Sequence, residues 1–324
     1  MPNILFASNS VSHFPGSTIG APLWSYDDNR VPYSIQVDPQ MPVGSPNIIQ
    51  SGTNEYWFHF RNGADLWYIN NNNPIIEINN ALGERIFLLT YHDRTTEGYH
   101  ASLTVDDTEY TSIRYIPKAE NALRTYDIQL KFNGLQVEAR VYVDEILLIT
   151  QSYSAASWEH PQNFILGASY SINNALTEEY QYFSEIIVAD ADTRNARLDL
   201  LRPVSVGAYD NWNGPVLSLS DDDPTTGMTT VSPEQNQSTI LTPYTGANNI
   251  SNIVQVTTSV RGINSPSGLQ HLVRMSGVDY LTSTFAVPFN KEYQITDWVE
   301  NPATSLPWAA TDLVNVEWGF KSKA

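Results

Sequence analysis

Cysteine is absent from the 324 residues, which removes disulfide frameworks, thiolate metal sites and cysteine nucleophiles together. Positive charge is scarce. Seventeen Lys and Arg stand against thirty-five Asp and Glu, a formal net charge of −18, so a phosphate backbone would be repelled over most of the surface and no nucleic-acid partner is expected. No run approaches the ~20 apolar residues of a membrane span. The opening Met1-Pro2-Asn3-Ile4-Leu5-Phe6-Ala7 has no basic region and only a short apolar stretch, so no signal peptide, lipid anchor or membrane partner is expected. Long helical periodicity is missing too, and no repeat of 20 to 50 residues occurs, which sets aside solenoids and propellers.

What is present reads as an all-β chain. Hydrophobic residues make up 41% and aromatics 11%, enough for sizeable cores, and Gly and Pro are spread along the whole length as turn residues are in β proteins. Length alone favours two domains. Asn-Gly, which tolerates the positive φ of tight hairpin turns, occurs at Asn62-Gly63, Asn133-Gly134 and Asn213-Gly214. Around the second, the pairs Phe132/Leu135, Leu130/Val137 and Ile128/Ala139 are all apolar, while Lys131/Gln136 and Gln129/Glu138 fall on the opposite face. Such an alternation predicts a hairpin with one face in a core and the other wet. The first Asn-Gly predicts a hairpin between 56–60 and 64–69. Further strands are expected over 85–90, 101–105, 110–115, 146–150, 163–167 and 184–189. Around Leu201-Arg202-Pro203 the strand pattern stops in a stretch rich in Gly, Pro and Asp. It resumes over 253–260, 269–275, 280–285 and 293–299, followed by a short helix within 307–315 and a closing strand over 316–320. Two all-β domains, 1–203 and 204–324, are therefore expected, with one short helix near the C-terminus.

Catalytic and metal motifs are thin. The histidines at 13, 59, 92, 100, 160 and 271 show no spacing that puts two imidazoles on one metal. Gly167-Ala168-Ser169-Tyr170-Ser171 approaches a nucleophile elbow but has serine where the elbow ends in glycine, so Ser169 reads as ordinary sheet or loop. A jelly-roll glycanase needs two carboxylates facing one sugar, which a strand supplies at alternate positions. Asp190 with Asp192 and Asp107 with Glu109 have that spacing, but both sit in turn-like contexts, and solvated turn acids are the plainer reading. The loop from Ser220 through Asp221, Asp222 and Asp223 to Gly227 holds oxygen ligands of the kind calcium uses, yet lacks the closing Glu of an EF-hand. No cofactor is expected. Trp158 and Trp212 lie in loop-like contexts where an exposed indole can stack on a sugar or a protein partner. Trp57, Trp67, Trp298 and Trp318 lie in strand patterns and read as core.

The run from Tyr126-Asp127-Ile128 through Val141-Tyr142-Val143-Asp144, then Phe164-Ile165-Leu166-Gly167 and Phe183 to Asp190, resembles the closing strands of concanavalin-A-like, laminin-G-like jelly rolls. The sequel is more specific: Ser184 to Arg194, Leu201-Arg202-Pro203, Trp212-Asn213-Gly214, Asp223-Pro224-Thr225-Thr226-Gly227, and Trp298-Val299-Glu300-Asn301-Pro302-Ala303-Thr304 before Pro307-Trp308. In order and spacing it resembles structural proteins of tailed-phage virions, in which a jelly roll precedes a second β domain ending in a W-x-x-N-P-x-T…W turn, a short helix and a closing strand. The likeness covers roughly residues 100 to 324; residues 1 to 100 share only their β content. Where that family's helix begins with Thr, this chain has Ala309, a weaker cap, and the row of acids found in glycanase jelly rolls is missing. The resemblance implies two β-sandwich (jelly-roll-like) domains, 1–203 and 204–324, and a non-enzymatic virion component, on the capsid or in a tail appendage, contacting other virion proteins and copies of itself. A lectin-like adhesin or glycan depolymerase acting on host glycan is the rival expectation.

Overall fold

The computed structural model describes residues 2–38, 41–50, 52–64, 73–94, 98–105, 108–117, 123–154, 160–167, 180–223 and 225–324. The chain is all-β and divides into two compact units, Pro2–Leu198 and Asp199–Ala324. Among the described residues no helix is long and apolar enough to cross a membrane.

The first unit contains β1 (Ile4–Ser8), β2 (Thr18–Gly20), β3 (Ser34–Val37), β4 (Val43–Gly44), β5 (Glu55–Ala64), β6 (Asn73–Asn79) and β7 (Arg85–Arg94). These are followed by β8 (Gly98–Val105), β9 (Thr108–Pro117), β10 (Arg124–Asn133), β11 (Gln136–Val143), β12 (Ile146–Ser154), β13 (Asn163–Leu166) and β14 (Gln181–Ala189). An eight-stranded sheet runs in the order β12-β11-β10-β5-β14-β3-β2, with β1 also on β14, and a six-stranded sheet runs β4-β13-β6-β7-β8-β9. Both are antiparallel, and an aromatic layer fills the unit's core. Phe164 of β13 meets Phe6 of β1 at 5.4 Å and Phe58 of β5 at 6.0 Å between ring centroids, both edge-on, and Phe60 stacks on Tyr126 at 5.2 Å. Such pairs contribute about 0.5–1.5 kcal/mol each beyond the area they bury.

The Asn133 hairpin forms with a two-residue turn as expected, but its register is displaced by two and the turn sits one residue further along. Phe132 faces Val137, Leu130 faces Ala139 and Ile128 faces Val141, so Gly134 (φ 62°) and Leu135 make the corner. A shift by two leaves every side chain on its expected face: Ile128, Leu130, Val137 and Val141 are fully buried, while Leu135 is 60% exposed at the corner. The opposite face is not uniformly wet, since Asp127 and Gln129 are buried as well. At Asn62-Gly63 no turn forms. Both residues lie inside β5, Asn62 between Arg124 of β10 and Phe183 of β14, and the Asn62 amide donates to the Tyr182 carbonyl at 3.3 Å. A long-range partner occupies the strand and overrides the local turn preference. The expected partner segment 65–69, with Trp67, lies outside the described residues.

The second unit contains β15 (Pro203–Asp210), β16 (Asn236–Leu241), β17 (Ile253–Ser259), β18 (Gly268–Met275), β19 (Val278–Leu281), β20 (Phe285–Ala286), β21 (Glu292–Trp298) and β22 (Glu317–Lys323). A six-stranded sheet runs β15-β16-β22-β18-β19 with β20 on β18, beside a two-stranded ribbon of β17 and β21. The strands do not stop at 203: Pro203 opens β15, an edge strand, where a residue without an amide hydrogen is tolerated. The expected 280–285 strand is split between β19 and β20. The helix near the C-terminus is one 3-10 turn, Ala310–Leu313, and three further 3-10 turns, Val11–His13, Leu23–Ser25 and Val216–Leu219, lie elsewhere in the described residues. Asp312 accepts from the Ala309 amide at 2.9 Å, so an acid inside the turn supplies the contact that Ala309 lacks the side chain to make.

Leu130→Ala should lower the stability of the first unit by about 2–5 kcal/mol, the cost of a cavity at a fully buried leucine. Urea unfolding followed by tryptophan fluorescence measures it, and a wild-type midpoint would mean that the pairing above is misassigned.

Candidate functional site

The best-built polar cluster of the first unit sits on the face of the eight-stranded sheet that points away from the aromatic layer. Along β5, Tyr56, Phe58 and Phe60 enter the core, so Trp57, His59 and Arg61 take the other face. On β10 the same alternation places Asp127 directly opposite His59. The segment that follows β14 closes over them: His59 Nδ1 lies 2.8 Å from Asp127 Oδ1, which also accepts from Thr193 Oγ1 at 2.8 Å. All three are buried, His59 and Asp127 with no exposed surface.

A hydroxyl, an imidazole and a carboxylate suggest a nucleophilic triad, but the order of contacts is wrong. In a triad the imidazole stands between hydroxyl and carboxylate and takes the hydroxyl proton. Here both donors meet the same carboxylate oxygen, so Thr193 gains no base. The arrangement is a fastening. Two further contacts extend it along the strap, residues 190–198. Arg194 lies over the rings of Tyr142 and Trp57, 4.9 and 5.7 Å from their centroids, and grips Asp192 through Nε at 3.0 Å and Nη2 at 2.5 Å. That hydrogen bonding holds the Asp192 carboxyl below the usual carboxylate range. At the far end, the Leu198 amide donates to the buried Glu185 carboxylate at 3.4 Å, whose other oxygen takes Arg61 Nη1 at 2.9 Å. Glu185 stands at φ 52° in a bulge of β14, where Ser184 pairs with Arg61 but the next pair is Ile187 with His59. The side chain of Asn9 fixes that strained residue by accepting from its amide at 2.9 Å.

In the second unit Arg274 of β18 donates to Tyr209 Oη at 2.9 Å and to Asp279 at 2.5 Å, and Tyr209 donates to the other Asp279 oxygen at 2.7 Å. The Asp279 bond holds the Tyr209 hydroxyl above its usual value. Glu317 of β22 reaches across β16 and accepts from Ser238 Oγ at 2.5 Å and from the Ala208 amide of β15 at 2.7 Å. A Cβ on Gly207 would stand 2.3 Å from that carboxylate oxygen, so the glycine makes room for it. His271, fully buried, lies with Nδ1 2.7 Å from Thr296 Oγ1, and burial pushes its imidazole down from 6.5 to about 3.

Of the residues singled out from sequence, Trp212 is half-buried: its indole donates to the Gln235 carbonyl at 3.1 Å and meets Phe320 edge-on at 4.7 Å. Trp158 and Ser169 lie outside the described residues, as do Asp107 and the Glu109 side chain. Asp190 accepts from the amide and side chain of Asn3 at 2.8 and 2.6 Å, and Asp192 is held by Arg194. In the acidic loop, Asp221 takes the Thr226 hydroxyl, Asp222 pairs with Arg202 at 2.7 Å and Asp223 takes Thr225. Among the described residues no group of three His, Cys, Asp or Glu is placed to hold a metal ion. Trp57 and Trp318 are buried, Trp57 beneath the strap.

The polar clusters were not found from sequence. The signal for the first was the opposite phase of His59 within Tyr-Trp-Phe-His-Phe, but its partner follows only from the β5–β10 register.

No protein-family model matches the chain, and no curated protein does. Among solved structures, the chain is similar to domain 4 of a GH43 extracellular arabinanase from Geobacillus stearothermophilus, in complex with arabinotriose, at 10% identity over 59% of this chain and 93% of that one, TM-score 0.37. It is similar at 10% identity to the CBM2 module of the evolved Dit of Lactobacillus casei BL23 phage J-1, over 59% and 97%, TM-score 0.34. A sialidase is matched at 13% identity over 59% of this chain, TM-score 0.35, and the match spans only 19% of the sialidase.

Thr193→Val should cost the first unit about 1–3 kcal/mol by removing a donor from a buried carboxylate, whereas Thr193→Ser should cost less. Urea midpoints of the two variants check this; equal midpoints would show that the strap is held by something else. Because folded His271 resists protonation until about pH 3 while the unfolded imidazole takes a proton near 6.5, its contribution is complete above pH 6.5 and is lost as pH falls through that window. His271→Leu should therefore flatten the stability of the second unit between pH 6.5 and 3, as read by urea midpoints across pH. An unchanged slope would place the acid sensitivity elsewhere.

Proposed function

We propose that this chain is a non-enzymatic structural component of a tailed-phage virion, decorating the capsid or forming part of a tail appendage, and that it works by contact with other virion proteins and with copies of itself. The observation that carries this reading is the corner between β21 and β22. The residues by which the sequence resembles virion proteins, Trp298, Asn301, Thr304 and Trp308, are the ones that build it. Asn301, buried, accepts from the Ala303 amide with its side chain at 2.9 Å and bridges to Leu306. Trp308 Nε1 donates back to the Trp298 carbonyl at 2.6 Å, and the Trp308 ring packs 5.9 Å from Trp318 in the centre of the unit's core. The motif is thus a packing device, and the likeness rests on fold-determining residues.

The acids support the non-enzymatic part of the reading. Hydrolysis of a glycoside needs two carboxyl groups about 5–10 Å apart with room for a sugar and water between them. Asp127, Glu185, Asp192, Asp222, Asp279 and Glu317 are each engaged by an arginine, a histidine, a hydroxyl or a backbone amide of the chain itself.

Native mass spectrometry of the purified chain and immunogold labelling of phage particles test the proposal. The expected outcome is a defined homo-oligomer and gold on the particle. A monomer together with unlabelled particles would overturn it. Incubation with host surface polysaccharide should release no reducing ends. Release that vanishes in Asp190→Asn or Asp192→Asn, with the fold intact, would establish a depolymerase instead.

A further inference from the structure

The three Asn-Gly pairs share one local chemistry and have three different environments. We propose that Asn133 is a site of spontaneous backbone-mediated deamidation in the folded protein, that Asn213 reacts more slowly, and that Asn62 is protected.

The reaction begins when the amide nitrogen of the following residue loses its proton and attacks the asparagine Cγ. A new C–N bond closes a five-membered imide, the C–NH2 bond breaks and ammonia leaves with the proton it needs. Water then adds to either imide carbonyl, giving aspartate or isoaspartate. No oxidant or reductant takes part. Glycine favours the attack because no side chain shields its nitrogen and its backbone turns freely into the geometry required.

Asn133 is the last residue of β10 to pair, opposite Gln136, and it combines exposure with an unengaged side chain and an unengaged nucleophile. It is exposed at the end of β10, its side chain has no hydrogen bond among the described residues, and the Gly134 amide, at the corner of the hairpin with φ 62°, has none either. Asn213 is also exposed, but its backbone is clamped to Thr229 by bonds of 2.8 and 2.7 Å, and Gly214 packs so closely that a Cβ there would stand 2.7 Å from the Gly227 carbonyl. Asn62 is 1% exposed, is paired with strands on both sides, and its amide is engaged by Tyr182. The imide would have to form where neither the nitrogen nor the side chain is free to rotate.

At Asn133 the modification carries structural weight. Each conversion adds one negative charge to a chain already at −18, and isoaspartate runs the backbone through the side chain, lengthening the corner that sets Phe132 against Val137.

The full-length chain, aged in mildly alkaline buffer, is digested and mapped by mass spectrometry with enzymatic detection of isoaspartate, beside a sample aged in denaturant. In the folded sample product is expected first at position 133, later at 213, and none at 62. In denaturant all three positions should convert at similar rates. Asn133→Gln should abolish product at 133 and leave 213 unchanged. The proposal is overturned if Asn133 stays an amide in the folded chain while converting in denaturant, or if folded Asn62 converts as fast as Asn133.

Discussion

A carboxylate with no exposed surface has to be answered by donors, and in the first unit Asp127 is answered by one residue of its own sheet and one from beyond it. His59 comes from the neighbouring strand. Thr193 comes from the chain leaving the unit, so pairing the Asp127 Oδ1 oxygen and seating the strap are the same event. Leaving such a group unpaired costs more than an ordinary hydrogen bond contributes. Other features of that face follow from this seat: Trp57 and Tyr142 lie under Arg194 rather than in water, and Leu198 reaches Glu185. The chain therefore stays fastened to the sheet until the division between the units.

The two units solve burial in different ways. The first interleaves many aromatic rings in one layer, as a sandwich of two broad sheets allows. The second has a smaller core centred on Val273, Trp308, Val316 and Trp318, and compensates with polar closure: Asn301 ties its corner, Gln255 bridges from β17 to the Gly319 carbonyl of β22 at 2.6 Å, and Arg274, Tyr209, Asp279 and Glu317 knit the other face of the sheet.

Period-two alternation made the all-β class and most strands readable, because in β10 and β11 apolar residues recur at alternate positions, Ile128, Leu130 and Phe132 facing Val141, Ala139 and Val137, and the pattern survives without knowledge of neighbours. The faces stayed correct at Asn133 even though the turn was misplaced, since parity is preserved by a shift of two. The reading failed where a distant partner decides. At Asn62-Gly63 a strong turn signal loses to β14, more than a hundred residues away in sequence, and β15 was missed because an edge strand with both Pro203 and Gly207 carries the composition of a loop. The polar cluster was hidden for the same reason: His59, Asp127 and Thr193 have no spacing in sequence, only a register in space.

Glu317 has a consequence beyond its own bonds. β15 is an edge strand, and its pairing with β16 is interrupted between Val206 and Asp210. Within that interruption the Ala208 amide turns inward to the Glu317 carboxylate. A flat, fully paired edge would offer a ready template to any strand of a second molecule, whereas a bent one with an amide already spoken for does not. A side chain reaching across from two strands away thus acts as a guard rail on the sheet edge, keeping this edge from merging with a strand of another molecule.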